Sequence, residues 1–309
     1  MHLLIPFAAP LSEAGRQAAA TLALPELQAL LGRCTEVQRD SADEWCYSPP
    51  HERALALALG WQGAAGLLPW AARAAQADGI HTADLAWGLV TPAHWHLGTE
   101  QISLIDPAGL MLDDAGSRAF FDAVAPLFTS EGFALHYGTA QRWYLAHESL
   151  AGLATASIDR AIGRNVDGWL GSAPAARRLR RLQSEVQMLL YTHPLNDERA
   201  ARGLLPVNSF WLSGCGPAQP TAPNPPQVDE RLRGPALGDN WAGWCQAWAT
   251  LDAGPLAALR RQAEGGQRIA FTLCGERAWA RFENTPRGLL QGLRGRWQRP
   301  TPAAVLETL

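Results

Sequence analysis

The stretch HPLNDERAARGLLPVNSFWLSGCG, residues 193 to 216, is the most informative part of this chain. It combines a histidine, two asparagines, arginines and an acidic pair with glycines and prolines, so it is too polar and too interrupted for a plain core element. A strongly amphipathic segment precedes it, and a Gly/Pro-rich segment follows. Polar groups on an irregular segment between ordered elements bind ligands more often than they fill a core, so the stretch predicts a ligand site.

The composition is that of a globular protein, with 47% hydrophobic and 18% charged residues among 309. A net charge of -3 gives no general attraction to nucleic acid or to an anionic membrane, so neither is expected as a partner. The N-terminal segment has no basic region and no long apolar run. It therefore predicts a cytoplasmic protein without a signal peptide or a transmembrane span.

Arginine supplies all 26 basic residues, because the chain contains no lysine. A lysine base or Schiff base is therefore excluded, whereas an arginine can still bind phosphate or carboxylate through two donors at once. The five cysteines have no Cys-x-x-Cys spacing, which argues against a disulfide framework and against a structural zinc site.

The hydrophobic patterning predicts an α/β protein. Near the N-terminus, residues 3–7 form an apolar run typical of a strand, and Ser12 and Pro25 are placed to begin helices. The polar residues 35–50 predict a loop. Further strands are predicted at 133–137, 142–146, 268–274 and 278–283, and a last helix at Thr285-Pro286.

The helix predicted from Pro174 onward carries an apolar stripe and, in its first turns, four arginines at 177, 178, 180 and 181. Positive charge at a helix N-terminus has the wrong sign for the helix dipole. Charge runs of this kind usually form a solvated face, and that interpretation is favoured for this helix. The sharper hypothesis is a contact with an anion or with a partner.

His94 and His96 are the clearest candidate metal ligands, because side chains at i and i+2 of a strand share a face. Two ligands do not make a site, and no third one is evident from the spacing. A polar strand face beside a cleft is therefore favoured over a metal. The chain also contains no GxSxG, HExxH, P-loop or GxGxxG motif.

The pattern HPxNxxRxxxGxxPxNxxWxxGxG in the opening stretch resembles the segment that closes the insert domain of archaeal-type, cofactor-independent phosphoglycerate mutases, members of the alkaline phosphatase superfamily. A fainter similarity covers Leu104 to Val124, and Arg142 falls where the family has a His-Arg pair. The motif match falls on His193, Pro194, Asn196, Arg199, Gly203, Pro206, Asn208, Trp211, Gly214 and Gly216.

The family resemblance implies arginines that hold the phosphate of phosphoglycerate, and this role falls on Arg142 and Arg199. Asn196, Asn208 and His193 would orient the same ligand, a small phosphorylated acid. These five residues are the candidate ligand-binding set, and no catalytic or metal residue is assigned.

The chain departs from the family where the resemblance implies two divalent metals. The first strand ends in Pro6-Phe7 where the family has an Asp-Gly pair, and Gly275-Glu276-Arg277 stands where it has Gly-Asp-His. No histidine follows His193. Phosphoryl transfer by a two-metal clamp needs those ligands, so no cofactor is expected. The combination also resembles proteobacterial proteins described as regulatory, of RpfE type.

The predicted layout is an alkaline-phosphatase-like sheet-and-helix domain assembled from both chain ends, residues 1–82 plus 217–309, with a smaller α/β insert domain at 83–216. The predicted function is a non-catalytic, regulatory, phosphoglycerate-mutase-like protein that keeps an anion or phospho-ligand pocket. An enzyme with rearranged chemistry, a mutase-like isomerase or phosphohydrolase with Mn or Zn, is the first alternative. Such an enzyme would use Glu276, Asp239 or the His94/His96 pair for its chemistry. A ligand-free interaction scaffold, in which the motif side chains bond loop backbone, is the second.

Overall fold

The computed structural model divides into two compact units. The first comprises Met1–Trp45, Pro49–Gly60 and Thr221–Leu309, and the second comprises Cys46–Ser48 and Trp61–Pro220. The residues that the structure describes are 1–82, 84–99, 101–171, 174–284 and 300–309.

Helices and strands alternate through much of both units. The described strands are β1 (His2–Ile5), β2 (Thr35–Ser41), β3 (Ala86–Ala93), β4 (Trp95–Leu97), β5 (Ile102–Leu104), β6 (Ala134–Thr139), β7 (Arg142–Ala146), β8 (Ser209–Pro217), β9 (Gln227–Val228), β10 (Ala270–Cys274) and β11 (Ala278–Glu283). The described α-helices are α1 (Glu13–Ala20), α2 (Pro25–Leu31), α3 (Pro50–Ala58), α4 (Trp70–Ala77), α5 (Asp114–Ser130), α6 (Ile158–Ala161), α7 (Pro174–Tyr191), α8 (Pro194–Ala201), α9 (Arg233–Leu237), α10 (Trp241–Leu251), α11 (Ala257–Glu264) and α12 (Pro302–Glu307).

The first unit is built on a five-stranded sheet in the order β2-β11-β10-β1-β9. Strand β1 is parallel to both β10 and β9, whereas β11 is antiparallel to β10 and to β2. Because side chains alternate along a strand, Leu3 and Ile5 enter a core with the apolar faces of α2 and α10. Leu4 faces the other way and packs with Ala54 of α3. Helices therefore cover both faces of this sheet.

Helix α2 shows how distant residues complete this unit. Its N-cap residue, Leu24, has no side-chain oxygen to cap the first turn. Asp252 supplies the cap instead, accepting hydrogen bonds from the backbone N–H of Glu26 (3.1 Å) and Leu27 (2.8 Å). Burial raises the pKa of Asp252, while these two N–H donors oppose that rise.

The second unit contains a four-stranded antiparallel sheet in the order β6-β7-β3-β8 and a two-stranded sheet of β4 and β5. One face of the larger sheet packs against α5 and α7, which contribute Phe120, Val124, Val186 and Leu190 to a shared core. Helix α4 contributes alanines to a separate cluster with Trp87. Residues 61–82, which the predicted layout assigns to the first domain, therefore belong to this unit. With them it is the larger of the two units, whereas the predicted insert at 83–216 is the smaller one.

The α/β class predicted from the sequence is confirmed, as is a sheet-and-helix unit assembled from both chain ends. Several local predictions are also confirmed: Ser12 caps α1 by accepting from the Gly15 N–H at 3.1 Å, and residues 134–146 form an antiparallel strand pair. The last helix, predicted at Thr285-Pro286, lies outside the described residues.

The predicted loop at residues 35–50 is wrong in its first part, because residues 35–41 form strand β2. This edge strand pairs with β11 from Thr35 opposite Glu283 to Ser41 opposite Ala278. All of its residues except the half-buried Asp40 are exposed. The alternation of apolar and polar residues that is typical of a strand is therefore missing in β2, and only the pairing with β11 defines this strand.

Candidate functional site

Helix α8 presents the first half of the predicted ligand-binding stretch. His193 is its N-cap, and the ring nitrogen Nδ1 accepts a hydrogen bond from the backbone N–H of Leu195 at 3.3 Å. The ring lies 5.5 Å from the ring of Phe120, centroid to centroid. Pro194 occupies the first helical position, where a missing N–H costs nothing. His193 thus starts the helix and contacts the core.

Asn196 is buried and fully engaged with backbone groups. Its amide nitrogen donates to the carbonyls of Leu190 (2.8 Å) and Val207 (2.9 Å), and its oxygen accepts from the N–H of Val207 at 2.9 Å. These bonds tie the end of α7 and the start of α8 to the segment before β8. No donor of its amide remains for a ligand.

Asn208 also bonds backbone groups, in its case where β3 meets β4. Its oxygen accepts from the N–H of Trp95 at 2.7 Å, and its amide nitrogen donates to the Trp95 carbonyl at 2.9 Å. The backbone of Asn208 donates to the carbonyl of Ala93 at 3.1 Å. Asn208 therefore fixes the junction between β3 and β4 against the beginning of β8.

Arg199 is also buried, with 7% of its surface exposed. Its Nε donates to the carbonyl of Leu205 at 2.8 Å, and its Nη2 donates to the carbonyl of Leu110. Burial lowers the pKa of Arg199 most. Repulsion from Arg202 lowers it further, and this effect exceeds the opposing attraction of Asp113.

A cavity of about 290 Å³ lies beside Arg199. Its charged lining comprises Arg199 and Arg202 from the motif, with Asp113 and Glu198. Asp113 is partly engaged, because it caps α5 by accepting from the N–H of Gly116 at 2.7 Å. Within the part of the chain that the structure describes, Nη1 of Arg199 and the guanidinium of Arg202 have no hydrogen bond or ion pair. Two cationic groups therefore remain for a ligand in this cavity.

The apolar wall of the cavity includes Phe120, Leu195 and Leu204, with Met111 at 67% exposure. Met111 adopts a left-handed conformation with φ 45° directly after a 3-10 turn at residues 107–110. A cavity with cationic groups and an apolar wall can hold a small organic anion.

Arg142 does not line this cavity and has a partner of its own. Its Nε and Nη2 donate to the two carboxylate oxygens of Asp78, at 3.0 Å and 2.7 Å. The hydroxyl of Tyr144 donates to the same carboxylate at 2.5 Å. The Arg142 hydrogen bond holds the pKa of Asp78 below its ordinary value, and burial, then Asp78, raise the pKa of Tyr144. This bidentate pair connects the end of α4 to β7.

Of the five predicted ligand-binding residues, only Arg199 lines this cavity. His193, Asn196 and Asn208 bond backbone groups around α8 and the start of β8, and Arg142 pairs with Asp78. Sequence reasoning missed Arg202. The available signal was its position three residues after Arg199, which places both on one helix face.

His94 and His96 do not share one strand. His94 lies between the end of β3 and the start of β4, is buried, and bonds the carbonyl of Pro206 through Nδ1 at 2.9 Å. His96 is exposed, and the two rings lie 6.4 Å apart. Among the described residues, no three His, Cys, Asp or Glu side chains form a group that could hold a metal ion.

The ends of β1 and β10 do not fit the two metals that the family resemblance implies. Phe7 follows β1 in a left-handed conformation with φ 56°, and its carbonyl accepts from the indole N–H of Trp244 at 2.9 Å. Glu276 follows β10 and accepts from the backbone N–H of Leu11 at 2.9 Å. Apolar and backbone-bonded groups thus occupy these strand ends, where a two-metal site would need several free carboxylates and imidazoles.

In the described part of the chain, no helix has both the length and the apolar character needed to cross a membrane.

The sequence matches no known family profile and no curated protein. Among solved structures, the chain is similar to a cofactor-independent phosphoglycerate mutase from Thermoplasma acidophilum DSM 1728, with 15% sequence identity and a TM-score of 0.39 over 100% of this chain and 98% of that one. It is also similar to the PH0037 protein from Pyrococcus horikoshii, with 12% identity and a TM-score of 0.40 over 99% of this chain and 95% of that one.

Proposed function

We propose that the protein is a non-catalytic binding protein that takes a small phosphorylated acid in the cavity beside Arg199 and acts as a regulator. The observation that carries this proposal is that Arg199 and Arg202 both line a cavity of about 290 Å³. Among the described residues, Nη1 of Arg199 and the guanidinium of Arg202 have no hydrogen-bond partner. The resemblance of the motif to the insert domain of phosphoglycerate mutases and of RpfE-type regulatory proteins supports the ligand class.

The two arginines of the cavity lining offer donors to an anion, while Asp113 and Glu198 of the same lining balance their formal charge. Arg202 repels Arg199, and an anion that contacts both guanidinium groups relieves that repulsion. A phosphate or carboxylate that accepts from both guanidinium groups makes charge-assisted hydrogen bonds. Arg202 is exposed, so its side chain is free to move towards such a ligand.

The absence of catalysis is proposed from the groups found where the resemblance implies metal ligands. Phe7 and Glu276 are engaged with Trp244 and Leu11. An enzyme that uses Mn or Zn with rearranged residues remains the competing function. Metal analysis of the purified protein, with mutase and phosphatase assays in added Mn²⁺ or Zn²⁺, separates the two. Stoichiometric metal together with turnover would reject the non-catalytic proposal.

Titration calorimetry with 2-phosphoglycerate, 3-phosphoglycerate and inorganic phosphate tests the cavity. Arg202→Ala should weaken binding about 10- to 100-fold, since a hydrogen bond to a charged group contributes about 1.5–3 kcal/mol. Arg16→Ala, at an exposed arginine of α1 in the other unit, is the matched control. Arg202 bonds no backbone through its side chain among the described residues, so its removal should leave the melting temperature unchanged. No binding to any probe, or equal binding by both variants, would refute the proposal.

A ligand-free scaffold is the second candidate function, favoured by the complete engagement of Asn196 and Asn208 with backbone groups. In that case the motif is architectural throughout. Phosphorylated acids would then leave the melting temperature of the wild-type protein unchanged at every concentration, whereas a true ligand raises it progressively.

A further inference from the structure

Helix α7 exposes a narrow face that the proposed function does not use. Arg177, Arg181, Ser184, Met188 and Tyr191 recur every three or four residues and are all exposed. At 100° per residue they fall within an arc of about 80°, and we call them the α7 seam. Met188 and Tyr191 are 76% and 86% exposed, although the opposite face of the helix is buried in the core of its unit.

We propose that the α7 seam packs antiparallel against the α7 seam of a second copy of this chain, about a two-fold axis at Ser184. An interface of this kind is isologous, so each contact between two different residues occurs twice. The seam meets this requirement because Arg177 and Tyr191 each lie seven residues from Ser184. Arg177 of each copy therefore lies opposite Tyr191 of the other.

The pairing places a cation on an aromatic ring at both ends of the interface. A guanidinium over a tyrosine face is attracted by the ring quadrupole. Seven residues of helix span about 10.5 Å, so the Arg177 side chains of the two copies lie about 21 Å apart. That separation exceeds the Debye length of about 10 Å at 0.1 M salt, and their repulsion is largely screened.

The helix dipole gives a second reason for the antiparallel pairing of two α7 helices. Helix α7 has no acidic residue in its first turn and no basic residue in its last turn, so neither end of its dipole is compensated along its own chain. In an antiparallel pair, Arg177 of each copy lies beside the C-terminal end of the other helix. A cation is favourable beside the C-terminal end of a helix. Arg177, which is unfavourable at the N-terminal end of its own helix, therefore becomes favourable beside the helix of the other copy.

The centre of the seam allows a close approach. Ser184 is the smallest of the five side chains, and its hydroxyl donates back to the carbonyl of Arg180 at 3.1 Å, so it does not project into the interface. Arg181 does not bring an unbalanced charge, because Glu131 and Glu185 both pair with it. Met188, one turn beyond Ser184, can adapt its shape to the facing helix.

A second copy fits the seam better than another macromolecule does. A basic helix face alone would suit an acidic partner, but the last two residues of the seam are apolar. An apolar partner would leave Arg177 against uncharged surface. A copy of the same helix, turned around, supplies the aromatic ring for the cation and the cation for the ring. The contact involves one helix from each copy and is small, so the dimer should depend on concentration.

Sedimentation equilibrium of the full chain over a wide concentration series tests the proposal. We expect a monomer–dimer equilibrium in the wild-type protein. Tyr191→Ala should raise the dimer dissociation constant about tenfold or more, because it removes two symmetric contacts. Leu97→Ala, at a side chain that is 75% exposed in the same unit, is the matched control and should leave the constant unchanged.

Arg177→Glu separates dimerisation from helix stability. An acidic residue in the first turn improves the α7 dipole within one chain, so the monomer should melt at the same temperature or slightly higher. The dimer should nevertheless weaken, because glutamate meets the C-terminal end of the second helix. A change in folding alone cannot move the two measurements in opposite directions.

Cross-linking locates the axis. Ser184→Cys with a short bismaleimide should give a covalent dimer, whereas Ser130→Cys, at the exposed end of α5, should remain at the wild-type background. A protein that stays monomeric at every concentration would overturn the proposal. So would a dimer whose dissociation constant is the same for the wild type, Tyr191→Ala and Arg177→Glu.

Discussion

Replacing Asn196 by alanine removes three hydrogen bonds at one buried point, where the end of α7, the start of α8 and the segment before β8 meet. The carbonyl of Leu190 keeps a second donor, the backbone N–H of His193 at 3.2 Å. The N–H and carbonyl of Val207 lose their amide partner, and Val207 is only 1% exposed. The cost is therefore concentrated in two backbone groups that water reaches poorly.

The expected loss of unfolding free energy follows from those two groups. Leaving a buried donor or acceptor unsatisfied costs about 1–3 kcal/mol, so Asn196→Ala, which leaves two, should cost about 2–6 kcal/mol. For a chain of this size that unfolds in one transition, the corresponding fall in melting temperature is about 3–9 °C. Asp197→Ala, at the exposed neighbour on the same helix, should cost less than about 1 kcal/mol, because it removes only an acidic residue from the first turn of α8.

Differential scanning calorimetry, with urea unfolding at a fixed pH, measures both variants. Asn196→Asp adds a test of direction, because a carboxylate there would face the carbonyls of Leu190 and Val207. Its protonated form can donate to one of them, so this variant should lose less stability at pH 5 than at neutral pH, where the charge is unpaired. An Asn196→Ala protein as stable as Asp197→Ala would refute the architectural role of this side chain.

Three further results are expected. Burial is the main cause that lowers the pKa of His2 from 6.5 to about 4, so between these pH values the unfolded chain binds a proton that the folded chain does not. The free energy of unfolding should therefore fall as the pH drops from 6.5 towards 4. Melting temperatures measured over this pH range should fall less for His2→Gln than for the wild type. Gly138→Ala should destabilise the protein by about 1–3 kcal/mol in urea unfolding, because the added Cβ would lie 2.5 Å from a ring carbon of the buried Tyr144. Gly234→Ala is the control: its Cβ would meet no atom within 4 Å, so its effect should be near zero. Cys215 is buried and burial raises its thiol pKa to about 12, so a thiol reagent should leave it unmodified in the native protein and label the partly exposed Cys46 and Cys245 first.

Sequence reasoning works best in this chain for features whose signal is local. Ser12 is predicted at the start of α1 because a serine oxygen three residues before an N–H is a cap, and the structure has that bond. The apolar composition and the bounding glycine predict strands at 268–274 and 278–283, and the structure has them at Ala270–Cys274 and Ala278–Glu283. In contrast, β2 carries no apolar alternation, since it lies at a sheet edge with both faces exposed.

The site can be found from the sequence only in part. The motif directs attention to Arg199 and Asn196, and both lie at the meeting point of three segments. The sequence does not say which of their donors the backbone already uses, because the accepting carbonyls belong to residues whose side chains have no part in the bond. The pairing of Arg142 with Asp78, 64 residues earlier, leaves no signal in the spacing.

The chain by itself determined the α/β class, the polar motif and the strand ends that lack metal ligands, because composition, local periodicity and residue identity depend on no distant contact. The tertiary structure decided which motif side chains are engaged with backbone, that a cavity opens beside Arg199 and Arg202, and that the basic end of α7 shares an exposed face with Tyr191. These facts depend on which carbonyls and charges the folded chain brings within a few ångströms. A linear sequence does not record that proximity.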